Sequence, residues 1–237
     1  MTTVAPRWPP DGQPATDKNA VIRIYGATRS YGAHKALDNV TLAIARNAFV
    51  FVTGPSGAGK TTLLKLIYLG VRASQGQVLV DGMNLARIGR RRIPLLRRKL
   101  GIVFQDYKLI PTRTVFENVA LVLEAAGVPR RVLEQKVHRV LQTVNMAHRR
   151  EALPPSLSGG EQQRVAVARA VVGDPLILLA DEPTGSLDSE SAAVVLELIR
   201  RFHQRGGTVV LATHDRQLIQ SIPARVIRLV DGRSVEG

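Results

Sequence analysis

The chain has 237 residues, 45% hydrophobic and 22% charged, which excludes a disordered protein and suits one large α/β domain or a domain carrying an inserted subdomain. It has no cysteine, which excludes a disulfide framework, thiol catalysis and a thiolate metal site, and suits the cytosol. Lys and Arg number 33 against 19 Asp and Glu, and the formal net charge of +14 favours anionic partners: nucleotide, lipid headgroups, nucleic acid or an acidic protein surface.

Residues 1–20 contain Pro6, Pro9, Pro10 and Pro14 but no apolar segment of signal-peptide length, and are expected to form a flexible N-terminal extension. No run of 18 apolar residues occurs anywhere, so a role at a membrane requires a partner. The first β-favouring segments are Val21–Tyr25 and Val40–Ile44, with Tyr31 between them as an aromatic that suits either packing or stacking on adenine. Phe49–Thr53 is an apolar strand that runs directly into Gly54-Pro55-Ser56-Gly57-Ala58-Gly59-Lys60-Thr61-Thr62. This stretch fits Gly-x-x-x-x-Gly-Lys-Ser/Thr with a strand before it and a helix predicted over Thr62–Leu69 after it. Glycines let successive backbone N–H groups converge on phosphate oxygens, and the helix adds its positive end. Lys60 is placed to reach the β- and γ-phosphates, and the Thr61 hydroxyl to ligate Mg²⁺.

Gly76–Gly82 reads as a further strand ending in an Asp-Gly turn, and these outer strands predict an antiparallel sheet beside the nucleotide core. Arg87–Lys99 is crowded with cations interleaved with Ile93, Leu95 and Leu96, a pattern that suits either a solvated face or an anionic lipid or protein surface. Gly101–Gln105 is a short apolar strand with a polar amide at its end, where open α/β sheets bind ligands. From about 107 to 157 the pattern turns helical. Thr114–Glu117 is a capping box, Gly127 a stop and Pro129 a restart, and Leu133, Val137, Val140, Leu141 and Val144 form one apolar face. An inserted helical subdomain is expected there.

In Leu157–Arg164, Ser158 and Glu161 have capping-box spacing, while Gly159 and Gly160 leave the first amides bare, which makes a second anion-binding helix end. Leu176–Ala180 is a buried-strand run ending in Asp181 and Glu182. Two carboxylates there are costly unless they meet a cation or a polarised water, so Asp181 is expected to help hold Mg²⁺ and Glu182 to polarise the attacking water. Ser186-Leu187-Asp188 makes a turn, and Ser189–Gln204 a helix closed by Gly206 and Gly207. Thr208–Thr213 is another strand, and its carboxyl end presents His214 for a γ-phosphate role. Arg225–Val230 and the Asp231-Gly232 turn complete the pattern.

From about Val21 onward this constellation resembles the ATP-binding subunit of the ABC (ATP-binding cassette) family. Tyr31 is similar to its adenine-stacking aromatic, Gly54–Thr62 to the Walker A loop, Gln105 to the Q-loop and Leu157–Gln162 to the signature. Ile177–Glu182 is similar to Walker B with its catalytic glutamate, Ser186–Asp188 to the D-loop and His214 to the switch histidine. The resemblance implies a P-loop NTPase (RecA-like) core with an antiparallel β subdomain and an inserted α-helical subdomain. It places Gln105 with Thr61 and Asp181 at Mg²⁺, and Glu182 and His214 at the chemistry. It also implies a head-to-tail homodimer in the ATP-bound state, with ATP between Walker A of one copy and Ser158, Gly159, Gly160 and Glu161 of the other, near Asp188.

The segments Arg92–Leu109 and Thr114–Ala120 resemble the FtsE, or cell-division, branch of the family. Ala180–Asp188 fits too, with Ser186 where asparagine is commoner, and that segment is shared with lipoprotein-release and macrolide-export ATPases. The branch implies an integral membrane FtsX-like subunit that couples ATP hydrolysis to activation of cell-wall hydrolases. Its place is the cytoplasmic face of the bacterial inner membrane at the division site. An exporter ATPase is the alternative. A nucleic-acid function is disfavoured by the single cassette and the lack of a long heptad arm.

Overall fold

Short runs of Val, Ile, Leu and Phe that lack polar alternation suit strands buried on both faces, and the computed structural model, which describes residues 19–235, builds its centre from them. In chain order the elements are β1 (Ala20–Tyr31), β2 (His34–Ala45), β3 (Phe49–Thr53), α1 (Lys60–Ile67), β4 (Gln75–Val80), β5 (Met83–Asn84) and α2 (Ile93–Arg98). There follow β6 (Leu100–Val103), α3 (Val115–Ala125), α4 (Arg130–Thr143), α5 (Gly159–Val171), β7 (Ile177–Asp181) and α6 (Ser189–Gln204). The last are β8 (Thr208–Ala212), α7 (Arg216–Ser221), β9 (Arg225–Val230) and β10 (Arg233–Val235). All but the last two residues of the expected N-terminal extension lie outside the described residues.

One sheet has the order β10-β9-β3-β8-β7-β6, parallel throughout except for β10 at one edge. Its strands send alternate side chains to opposite faces. Val50, Val52, Ile177, Leu179 and Val210 enter a core with α1 and the second sheet, whereas Phe49, Phe51, Leu178, Val209 and Leu211 enter a core with α3, α4, α5 and α6. The second sheet, β2-β1-β4-β5, is antiparallel as expected. It is broader than its apolar runs suggest. β1 and β2 continue to a hairpin at Tyr31 and His34, because register shifts between Ile24 and Ser30 let polar residues stay paired.

The helix after the phosphate loop starts at Lys60, two residues before its expected start, and ends at Ile67 rather than Leu69. Leu69 itself is left-handed at φ 57°, and Gly70 N–H donates to the Lys65 carbonyl at 2.8 Å, which closes the helix. At α3 the Thr114–Glu117 capping box is formed in both directions. α4 buries Leu133, Val137 and Leu141, and Val144 sits just past its end. Together α3 and α4 share a continuous apolar core with α5.

Candidate active site

Because β3, β8, β7 and β6 are parallel neighbours, their carboxyl ends open on one edge of the sheet. Val52 and Asp181 both lie level with Ala212, and Val103 lies level with Ala180. The segments leaving those four ends are the phosphate loop, Gln105, Asp181-Glu182 and Thr213-His214. A cavity of about 760 Å³ at this edge gathers Tyr31, Pro55, Ser56, Gly57, Gly59, Lys60, Thr61, Thr62, Gln105, Asp181, Glu182 and His214. His34 and Ala36 also line it, and nothing in their local sequence singles them out; they arrive through the β1–β2 hairpin.

The loop's glycines are needed where it bends hardest. Gly59 has φ 102°, and a Cβ there would stand 2.4 Å from the Ala36 carbonyl oxygen. Gly54 opens the loop and Ala58 is buried beneath it. The Lys60 ammonium donates to the carbonyls of Gly54 at 2.8 Å and Pro55 at 3.1 Å, so its charge lies across the loop mouth. Tyr31 is 44% exposed, and the Arg29 guanidinium stands 4.5 Å over its ring. That contact covers one face of the ring and leaves the other to the cavity rim.

The Asp181 carboxyl is raised above its ordinary range, chiefly by burial, with a hydrogen bond from Thr61 opposing the shift and the charge of Glu182 adding to it. Its Oδ1 is buried with no hydrogen-bond partner. An orphaned carboxylate oxygen beside a threonine hydroxyl is a hard oxygen donor set, and it fits Mg²⁺.

Glu182 is held from three directions. Its backbone, at φ 45°, donates N–H to the Ala212 carbonyl at 2.9 Å. Its Oε1 lies 2.7 Å from His214 Nδ1, and its Oε2 accepts from Thr213 Oγ1 at 3.1 Å. Thr213 is buried, and its hydroxyl oxygen also accepts from Asp215 N–H at 3.1 Å. Sequence reasoning missed Thr213. Its only signal is its place immediately before His214 at a strand end.

Ser158, Gly159, Gly160 and Glu161 do not line this cavity. They start α5, where Glu161 N–H donates to Ser158 Oγ at 3.2 Å and Ser158 N–H to Glu161 Oε2 at 2.8 Å. Asp188 caps α6 by accepting from Ser191 N–H at 2.8 Å, and that hydrogen bond is the largest influence lowering its carboxyl. The start of α5 is not bare as its glycines suggest: Gly160 is buried against Ser191 and Gly159 is half-buried beside the Tyr107 hydroxyl, because α6 and the Gln105 loop pack over them. The cavity and the start of α5 are separate features of a single chain. In the cationic run, Arg87, Arg90, Arg91, Arg92, Arg97 and Arg98 are exposed. Lys99, half-buried, pairs with Asp81 alongside Arg46, and Asp81 is lowered mainly by the Lys99 hydrogen bond.

The family model described as ABC transporter matches residues 37–185. The chain belongs to the ABC transporter family, as an ATP-binding, ATP-hydrolysing cassette. It is 45% identical over 198 residues to the cell division ATP-binding protein FtsE of Bacillus subtilis, covering 84% of this chain and 87% of that one. It is also 44% identical over 225 residues to the methionine import ATP-binding protein MetN 2 of Paraburkholderia xenovorans, covering 94% of this chain and 58% of that one. Among solved structures it resembles the dimeric cassette MJ0796 in a post-hydrolysis state bound to ADP and Pi. The TM-score is 0.83 at 34% identity, covering 90% of this chain and 96% of that one.

Proposed function

We propose that this chain is the ATP-hydrolysing subunit of an FtsEX-type complex, which couples turnover through an FtsX-like membrane subunit to cell division and activation of cell-wall hydrolases. The observation that carries the catalytic half is the single cavity where the phosphate loop, Asp181, Glu182 and His214 meet. Tyr31 stacks on adenine, and the amides of Gly54–Thr62 with Lys60 hold the phosphates. Thr61, Asp181 and Gln105 hold Mg²⁺, which when bound neutralises phosphate charge and polarises the phosphoryl oxygens.

Glu182, already oriented by Thr213 and His214, accepts a proton from the attacking water. His214 keeps that carboxylate in place and presents its ring to the γ-phosphate. Ser158, Gly159, Gly160 and Glu161, with Asp188 nearby, lie outside the cavity and complete the site of a second copy in a homodimer. A dimeric relative of the same fold supports that arrangement.

Identity alone separates division from import only narrowly, at 45% against 44%. The division reading is favoured by Arg92–Leu109 and Thr114–Ala120. No helix among the described residues is long and apolar enough to cross a membrane; in this reading the membrane subunit anchors the chain at the inner membrane. The exposed arginines of 87–98 suit an anionic surface beside that partner, and neutralising Arg90, Arg91 and Arg92 should weaken membrane association.

The test is to identify the membrane protein that co-purifies with the Glu182→Gln form in ATP. An FtsX-like subunit is expected. Recovery of an exporter or importer subunit instead would overturn the division role and leave the catalytic assignments standing.

A further inference from the structure

We propose that Arg169, on α5, is a positioning residue for the Gln105 loop, which it fixes relative to that helix. The inference rests on the role given above to Gln105.

After β6 the chain leaves the sheet at Phe104 and turns sharply. Tyr107 and Lys108 are both left-handed, at φ 59° and 50°. Two successive non-glycine residues are strained in that region and persist only where their surroundings hold them. Arg169 supplies the hold. Its Nη1 donates to the Lys108 carbonyl at 2.6 Å and its Nη2 to the Tyr107 carbonyl at 2.6 Å. The partners are neutral carbonyls, although the guanidinium is partly buried, which lowers its pKa. A planar fork can serve two neighbouring carbonyls at once, and an ammonium cannot match that geometry.

The same loop also meets the other end of α5. The Tyr107 hydroxyl lies 3.3 Å from Ser186 Oγ, and it would stand 3.0 Å from a Cβ on Gly159. Between these ends, Gln163 Nε2 donates to the Pro183 carbonyl at 2.7 Å, one residue after Glu182. One helix therefore ties together the loop carrying Gln105 and the residue following Glu182, and Tyr107 in that loop reaches Ser186 in the turn before Asp188. The Gln105 loop cannot shift independently of α5 without breaking both Arg169 bonds.

The experiment compares ATP turnover of the full chain with that of Gln105→Ala, Arg169→Ala, Arg169→Lys, Tyr107→Phe and the Gln105→Ala/Arg169→Ala double variant. We expect Gln105→Ala and Arg169→Ala each to lower kcat about tenfold with KM for ATP held within about twofold, and the double variant to be no slower than either. Arg169→Lys should recover part of the loss. An unchanged kcat in Arg169→Ala overturns the proposal, as do effects that multiply in the double variant or a rise in KM that matches the fall in kcat. Should Arg169→Ala fail to fold, unchanged kcat in both Arg169→Lys and Tyr107→Phe overturns it equally. If Gln105→Ala alone leaves kcat intact, the role of Gln105 fails and takes this one with it. If Gln105→Ala is slow while Arg169→Ala is normal, only the Arg169 role falls.

Discussion

Glu182 shows how much of this chemistry is settled one side chain at a time. Both of its carboxylate oxygens are engaged, by His214 at 2.7 Å and Thr213 at 3.1 Å, so it has little rotational freedom left to lose. Glu182→Gln should cut turnover by at least about 10²-fold while ATP binding persists, since general-base catalysis contributes roughly 10²–10⁴; single-turnover kinetics with a nucleotide-binding assay checks both. Thr213→Val keeps the shape and removes the hydrogen bond to the Glu182 carboxylate, worth about 1.5–3 kcal/mol, together with the one the hydroxyl accepts from Asp215 N–H. It should lower kcat about tenfold with KM nearly unchanged, and a normal kcat would remove Thr213 from the orienting set.

Asp181 makes the opposite kind of prediction. Its carboxyl is raised in the folded chain, so the folded state binds the proton more readily than the unfolded one. Stability is then greatest at low pH with respect to this group, and is lost as pH rises from the unfolded value through the folded one. At neutral pH the buried charge is a cost that a cation would offset. Asp181→Asn should therefore raise Tm of the nucleotide-free chain, by about 2–4 °C for each kcal/mol gained in a protein of this size, while abolishing Mg²⁺-dependent turnover. Thermal scans with and without Mg²⁺ decide this, and a lower Tm without Mg²⁺ would contradict the account.

At the scale of elements, the connection into α3 depends on one buried amide. Asn118 is fully buried, and its Nδ2 donates to the carbonyls of Ile110 at 3.1 Å, Arg113 at 2.9 Å and Thr114 at 3.0 Å, while its Oδ1 accepts from Ile110 N–H at 2.7 Å. Replacing it with Ala takes the side-chain partner from the Ile110 N–H and the Arg113 carbonyl, while the Ile110 and Thr114 carbonyls keep the N–H groups of Arg113 and residue 118, at a cost of about 1–3 kcal/mol. Denaturant unfolding of Asn118→Ala should show a lower midpoint with an unchanged slope. The strand β6 is pinned just as tightly to α5: a Cβ on Gly101 would lie 2.3 Å from the Ala170 carbonyl oxygen. Gly101→Ala would have to push β6 and α5 apart, and Gln105 lies two residues beyond the end of that strand, which stops at Val103 rather than running on to Gln105 as its apolar pattern suggests. These helix caps and breaks were legible in the sequence, because Thr114, Glu117 and Gly127 act on neighbours within a turn or two. The length of β1 and β2 was not, because polar residues remain in those strands only through pairing with partners distant in sequence.

At the scale of the whole molecule, the phosphate loop and the start of α5 are separate features of the chain, and the proposed composite site requires a second copy. A Lys60→Ala chain and a Gly159→Asp chain should each be inactive alone. Mixed in equal amounts, they form heterodimers with one intact pairing, and part of the turnover should return. No recovery, with heterodimers demonstrated by co-purification, would argue against the composite site.

The sequence by itself determined the local chemistry of this protein: the phosphate loop, both capping boxes, the apolar strands and the polar residues at their ends. Each of those is written in residues adjacent along the chain, where spacing directly sets which groups share a turn or a face. Only the tertiary structure decided that the ends of β3, β6, β7 and β8 open on the same edge. That edge depends on parallel pairing between segments far apart in the chain, such as Val103 beside Ala180 and Val52 beside Ala212. The same long-range pairing placed Thr213 against Glu182, brought His34 and Ala36 to the cavity through the β1–β2 hairpin, and set Arg169 on the carbonyls of Tyr107 and Lys108. No local pattern encodes those contacts, because they arise only when strand order and helix packing bring remote segments within hydrogen-bonding reach.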